Sequence, residues 1–186
     1  LGGAVLLGGL GEVVGRRRSD LTSLRAAIRL PRPVDPARAL PADVEVRVIH
    51  SGQARQLAGS AYAERTAAVE AAQEVLGPLR LLTDPAAADV LADPVLRRRA
   101  RHVISENQRV RTFAAAVRAG DLRAAGAAMA GSHRSLRDDF EVSTDVLDAL
   151  VERLAATPGV HGARLTGAGF GGCVVALTEP GALDEG

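Results

Sequence analysis

Arg164-Leu165-Thr166-Gly167-Ala168-Gly169-Phe170-Gly171-Gly172-Cys173 sets four glycines within six positions between two apolar segments, Val160–Thr166 and Cys173–Thr178. The flanking segments read as a pair of strands, so the glycines form their connection. Glycine lacks the Cβ that keeps a backbone away from a ligand, and such a loop can bring main-chain N–H groups close to phosphate oxygens. A tight β-hairpin whose glycines only satisfy positive φ angles has the same composition. On spacing alone the hairpin is favoured, because no lysine or acidic partner follows. The dinucleotide-binding fingerprint is excluded: the run lies between strands, late in the chain, with neither a following helix nor a ribose-binding acid.

Working outward, Val44, Val46 and Val48 alternate with Glu45 and Arg47, and Ile49 closes a short strand. A helix is expected over residues 60–76, with Tyr62, Thr66, Val69 and Leu76 on one face and Gly77-Pro78 as its stop. Asp93-Pro94 starts a second helix, whose stripe Leu96, Ala100, Val103, Asn107, Val110, Ala114 and Val117 runs to Gly120. Asn107 on that stripe requires a hydrogen-bond partner from a neighbouring element. Asp121 opens a helix through Met129; Ser143 is expected to cap another, with Val146, Leu147, Leu150, Val151 and Leu154 as its buried face, stopped by Pro158-Gly159. Strand, several helices and a strand pair make an α+β layer rather than a repeat array.

Composition narrows the function classes. The 186 residues are 47% hydrophobic and 24% charged with a formal net charge of +1, a globular balance that gives no reason to expect nucleic acid. All 23 basic residues are arginine, which rules out a Schiff-base or P-loop lysine within this sequence. Cys173 is the sole cysteine, so no intrachain disulfide or cysteine metal cluster forms; His50, His102, His133 and His161 are too scattered to read as a ligand set. Residues 1–14 are apolar and glycine-rich but far shorter than the roughly 20 residues of a membrane span, and Arg16-Arg17-Arg18 follows on the wrong side for a signal peptide. Four prolines in residues 31–41 read as a linker. These features are expected of a head and linker over 1–42 and a body over 43–186, in a chain that begins inside a larger design or gene fragment. The Arg97–Arg101 run reads as a wet helix face, and Asp138-Asp139 as solvated or salt-bridged rather than metal-binding. His102 and His133 read as hydrogen-bonded structural residues.

The run 164–173 resembles the third signature motif of the GHMP kinases in the form carried by galactokinases. Three further strings resemble that family in the same order: Leu57-Ala58-Gly59-Ser60-Ala61-Tyr62-Ala63-Glu64-Arg65, Arg99-Ala100-Arg101-His102-Val103-Ile104-Ser105-Glu106-Asn107-Gln108-Arg109-Val110, and Ser132-His133-Arg134-Ser135-Leu136-Arg137-Asp138-Asp139-Phe140-Glu141-Val142-Ser143. Together they span residues 43–178. The resemblance implies a GHMP kinase C-terminal domain, a ferredoxin-like sheet with helices packed on it, incomplete at both ends. It implies phosphorylation of galactose to galactose 1-phosphate with ATP and Mg2+, in the cytoplasm, with a small sugar and ATP as partners and neither nucleic acid nor membrane. Tyr62 is implied as a sugar contact, and Gly167, Ala168, Gly169, Phe170, Gly171 and Gly172 as the nucleotide and substrate loop.

Other groups that the family uses are absent from these 186 residues. The Arg-x-Asn-x-x-Gly-Glu-His stretch, the Gly-Leu-Ser-Ser-Ser phosphate loop and the Met-Asp-Gln context of the catalytic Asp do not occur, and Ala54 stands where a basic residue is usual. The N-terminal kinase domain is therefore expected to be missing, no catalytic residue or metal ligand is assigned, and the chain alone is expected to be inactive. The family also continues beyond the last strand, so an unpaired sheet edge is expected. An N-acetylgalactosamine or arabinose kinase, a non-catalytic sugar-binding or regulatory remnant, and a pseudogene or misread frame remain open alternatives.

Overall fold

Ala163 and Leu165 alternate with Gly162, Arg164 and Thr166 on one strand and stand opposite Ala176 and Val174 on the next, so the period of two turns all four toward one face of a sheet. The computed structural model describes residues 40–54 and 59–184. Its elements are β1 (Glu45–His50), α1 (Gly59–Leu76), two 3-10 turns (Leu79–Leu81 and Pro85–Val90), α2 (Pro94–Arg118), α3 (Leu122–Asp138), α4 (Asp145–Ala155), β2 (Val160–Thr166) and β3 (Cys173–Thr178). The expectations for the head, and most of the proline-rich stretch, fall on residues outside those described. The body is α+β, as its sequence implies.

The three strands are antiparallel in the order β1-β3-β2, with Val48 and Arg164 both opposite Val175. A bulge between Val160 and Gly162 accommodates one extra residue on β2. On one face Ala163, Leu165, Val174 and Ala176 pack with Leu147, Leu150, Val151 and Leu154 of α4. On the other, Leu177 and Val44 pack with Ala116, Ala125 and Met129 from α2 and α3. A third cluster, Ala72, Leu79, Ala88, Leu91, Ala100 and Ile104, joins α1 and the 3-10 turns to α2.

The helix starts follow local chemistry. Asp93 Oδ1 accepts from the N–H groups of Val95 and Leu96 at 2.7 and 3.3 Å, with Pro94 in the first turn. Asp121 Oδ1 accepts from Ala124 N at 2.9 Å. Four local expectations are corrected. α3 does not end at Met129 but continues to Asp138, because Ser132, His133, Ser135 and Leu136 all find buried partners. α4 is capped by Thr144, whose hydroxyl accepts from Leu147 N, while Ser143 donates to Asp148 instead. Arg99 lies within the supposed wet face yet is 2% exposed. Asn107 Nδ2 is buried without a partner among the described residues, contrary to the requirement set by its place on the stripe.

The valines at and just before β1 also behave unexpectedly. Val44 is buried, but Val46 and Val48 are 48% and 65% exposed, since the close helix contacts, those of α3 and α4, fall on β2 and β3 rather than on β1. Among the described strands the sheet is open on both sides, along the outer edges of β1 and β2, with β3 between them.

The closest approach between layers is backbone to backbone. A Cβ on Gly126 of α3 would lie 1.7 Å from the carbonyl oxygen of His161 on β2, and one on Gly162 would lie 2.6 Å from Gly126 Cα. Gly126→Ala is therefore expected to destabilise the protein by about 3 kcal/mol in urea unfolding, since helix and sheet must separate. Gly131→Ala on the same helix, whose Cβ would stand 3.4 Å from Arg109 Cδ, is expected to be neutral or stabilising by up to about 1 kcal/mol.

Candidate functional site

The glycine run forms the β2–β3 connection and leaves the ordinary backbone regions almost throughout, with φ of 84° at Gly167, 80° at Gly169, 58° at Phe170, 110° at Gly171 and 89° at Gly172. Two of its amides are engaged by the protein. Phe170 N donates to Val142 O at 2.8 Å, Gly172 N donates to Gln53 O at 3.1 Å, and Ser51 N donates to Gly172 O at 2.8 Å. A Cβ on Gly169 would lie 2.2 Å from Val142 O, and one on Gly171 would lie 2.9 Å from Ala54 O. These two glycines are needed where one backbone presses on another. The Phe170 and Gly172 amides are committed to protein carbonyls, so at these positions the loop is a wall rather than a phosphate cradle.

Behind that wall stands the α3–α4 turn. Glu141 adopts a left-handed conformation, φ 54°, uncommon for a non-glycine residue. Its carboxylate receives Arg98 Nη2 at 3.0 Å and Arg99 Nη2 at 2.5 Å, and Arg65 Nη2 lies 3.8 Å away. Arg99 Nη1 also donates to Asp139 O. The hydrogen bond from Arg99, reinforced by the charges of Arg99 and Arg98, holds the Glu141 carboxyl below its usual range.

Arg65 joins this turn from α1. Its Nε donates to Phe140 O at 2.8 Å and its Nη2 donates to Glu141 O at 3.0 Å. Its guanidinium carbon stands 5.9 Å from the centre of the Phe170 ring. Tyr62, one helical turn earlier, is 47% exposed. Ala54 lies against Gly171, so the position where the family usually carries a basic residue borders the loop, while Arg55 falls outside the described residues.

The two histidines of interest are buried and hydrogen-bonded. His102 stacks on Phe140 with ring centres 4.6 Å apart, and its Nδ1 lies 2.9 Å from Ser135 Oγ. Ser135 gives its one hydroxyl proton to Asp139 Oδ2 at 2.8 Å, so His102 Nδ1 carries the hydrogen in their contact. His133 Nδ1 accepts from Leu165 N at 3.3 Å, and its Nε2 lies 3.0 Å from Asp148 Oδ1. Burial pulls His102 down to about 4, and burial likewise lowers His133 against the opposing pull of Asp148.

A separate polar cluster joins Glu106 to Arg164 Nη1 at 2.8 Å, Ser132 Oγ at 2.5 Å and Arg109 Nε at 2.7 Å. Burial opposes ionisation of Glu106, but the bonds from Ser132 and Arg109 and the charge of Arg164 outweigh it and keep the carboxyl below its usual range. This cluster lines a groove of about 290 Å³ together with Val46, Val110, Phe113 and Met129; neither Tyr62 nor residues 167–172 line it. Asp138 is held by Arg137 Nε at 2.8 Å. Among the described residues no group of three or more His, Cys, Asp or Glu side chains is placed to hold a metal ion.

Residues 113–185 match the family described as GHMP kinases C terminal. The chain carries a GHMP kinase C-terminal domain. It is 43% identical over 155 residues to the galactokinase of Chloroflexus aggregans, covering 78% of this chain and 40% of that protein. It is 47% identical over 141 residues to the Homo sapiens galactokinase, covering 74% and 36% respectively. The solved structure of Lactococcus lactis galactokinase complexed with galactose is similar at a TM-score of 0.69 and 35% identity, over 76% of this chain and 39% of that one. The chain thus spans about two fifths of the length of the curated relatives it matches. No helix among the described residues is long and apolar enough to cross a membrane.

Sequence reasoning singled out Tyr62 and the glycine run in this GHMP kinase domain but missed Arg65, Arg99, Glu141, Val142 and Gln53, which fix the loop. The motif strings contained most of them, yet no spacing rule marks one arginine of a basic run as buried.

The neutral His102 makes stability pH-dependent. The unfolded imidazole takes up a proton near pH 6.5 and the folded one near 4, so the contribution is whole above 6.5 and is lost as the pH falls toward 4. Between pH 7 and pH 5 this loss is expected to be about 2 kcal/mol. Urea unfolding of His102→Gln across the same interval should show a correspondingly shallower decline, the remainder belonging to His133 and, near pH 5, to the depressed carboxyls of Glu106 and Glu141.

Proposed function

We propose that these residues are the C-terminal part of a galactokinase, which transfers the γ-phosphoryl of MgATP to the anomeric hydroxyl of galactose. The observation that carries this reading is the likeness, at 43–47% identity, to galactokinases from organisms as distant as Chloroflexus aggregans and Homo sapiens. The solved relative bound to galactose adds to it.

In this reading Tyr62 supplies a phenolic hydroxyl to a sugar hydroxyl, and residues 167–172 form the wall that excludes water beside sugar and nucleotide. Phosphoryl transfer depends on positioning and on neutralising developing charge. Mg2+ supplies part of that neutralisation when bound, but the carboxylates described here do not fit it: Glu106, Glu141, Asp138 and Asp139 each face an arginine or hydroxyl of the chain. No base or metal ligand is assigned within these residues, and on their own they are not expected to turn over.

The test is calorimetry of the purified chain with galactose, N-acetylgalactosamine and arabinose, beside an ADP-release assay with MgATP. Galactose is expected to bind best, and Tyr62→Phe is expected to weaken it about five- to tenfold, the worth of one hydrogen bond. Preference for another sugar would contradict galactose as substrate, and unchanged affinity in Tyr62→Phe would contradict the role given to that residue. ADP release above background that disappears in Gly169→Val would contradict the expected inactivity of the chain alone.

A further inference from the structure

We infer that Arg65 is a positioning residue that locks the Tyr62-bearing turns of α1 to the glycine loop, so that the two move as one unit. The inference rests on the reading of Tyr62 as a sugar contact for its functional meaning, but not for its physical content.

α1 is anchored unevenly. Its C-terminal half contributes Val69, Ala72 and Leu76 to a core cluster, whereas residues 62–64 are exposed and none of residues 61–68 belongs to a cluster. Among the described side-chain hydrogen bonds, those of Arg65 are the ones that tie this end of the helix to distant elements. Tyr62 and Arg65 are three residues apart and share a helix face, so fixing one restrains the other.

The far end of the tie is the glycine loop. Phe140 and Glu141, whose carbonyls accept from Arg65, directly precede Val142, whose carbonyl receives the Phe170 amide and sits where a Cβ on Gly169 would intrude. Arg65 therefore touches the loop twice, once through this turn and once across the Phe170 ring. With 14% of its side chain exposed, it is also largely withdrawn from water.

The geometry needs a guanidinium in particular. Two carbonyls of successive residues are engaged by Nε and Nη2 of one rigid plane whose face lies near an aromatic ring. A lysine ammonium can reach one carbonyl but cannot reproduce the fork.

Amide hydrogen exchange on the full chain tests this. In Arg65→Met, exchange is expected to quicken about tenfold or more both in residues 63–66, the first amides of α1 with acceptors inside the helix, and at Phe170, while Leu165 and Val174 in the sheet change less than about twofold, because the loss is local opening and not global unfolding. Arg65→Lys should fail to restore either site. Tyr62 is the only tyrosine and there is no tryptophan, so a parallel fall in intrinsic fluorescence anisotropy should report release of its turn. Quickened exchange in α1 with Phe170 unchanged, or full restoration by lysine, overturns the inference. If both sites loosen but galactose affinity is unaffected, the coupling stands and the reading of Tyr62 as a sugar contact is the one that fails.

Discussion

The arrangement around the glycine loop depends on one ion pair, Arg99 with Glu141. Arg99 is almost completely buried and Glu141 is 43% exposed, so the two partners are not equivalent. Withdrawing a guanidinium from water costs several kcal/mol unless charge and hydrogen bonds replace the solvent. The Glu141 carboxylate and the Asp139 carbonyl do so here for the two terminal nitrogens, while Arg99 Nε is buried without a partner among the described residues. The same contacts hold Glu141 in its left-handed conformation, which for a residue with a Cβ costs on the order of 1–3 kcal/mol and persists only when its surroundings determine it. A helix-borne charge thus selects the conformation of a turn forty residues later in the chain.

One side of the glycine loop hangs from that turn. Val142 follows Glu141 directly, and its carbonyl fixes Phe170 at the centre of the glycine run. Gln53 fixes Gly172 and accepts from Thr144, the residue that caps α4. The loop is therefore held on both sides by segments that also start or join helices. Its glycines answer first to this packing, since a methyl group at Gly169 would meet a carbonyl oxygen rather than open space. That narrows the chemistry available at two positions: the Phe170 and Gly172 amides are committed to protein carbonyls and are not free to bind phosphate oxygens.

How much of this could be read in the sequence follows from how local each cause is. The strands at 160–166 and 173–178 and the caps at Asp93 and Asp121 were legible because a short apolar run and a capping carboxylate act within a few residues. The glycine run was legible as a hairpin, and only its resemblance to a kinase motif gave it a function. What sits opposite its glycines was not legible, because Val142, Gln53 and Ala54 arrive from distant segments. The same holds for Arg99, which looks like its exposed neighbours until α3 and the following turn close over it. Val46 and Val48 misled in the opposite sense: their period marked a strand correctly, but its place at the sheet edge leaves both exposed. Asn107 lies on an apolar stripe, and the structure offers no physical account of its unpaired amide.

The central claim is that Arg99 acts on the loop through the turn. A double-mutant cycle in urea unfolding, combining Arg99→Met with Gly169→Ala, tests it most directly. If the buried pair holds Val142 against Gly169, a turn already loosened by the first change should yield to the methyl group of the second. The combined destabilisation is then expected to be smaller than the sum of the single changes by about 1 kcal/mol or more, whereas additivity to within about 0.5 kcal/mol would contradict the account.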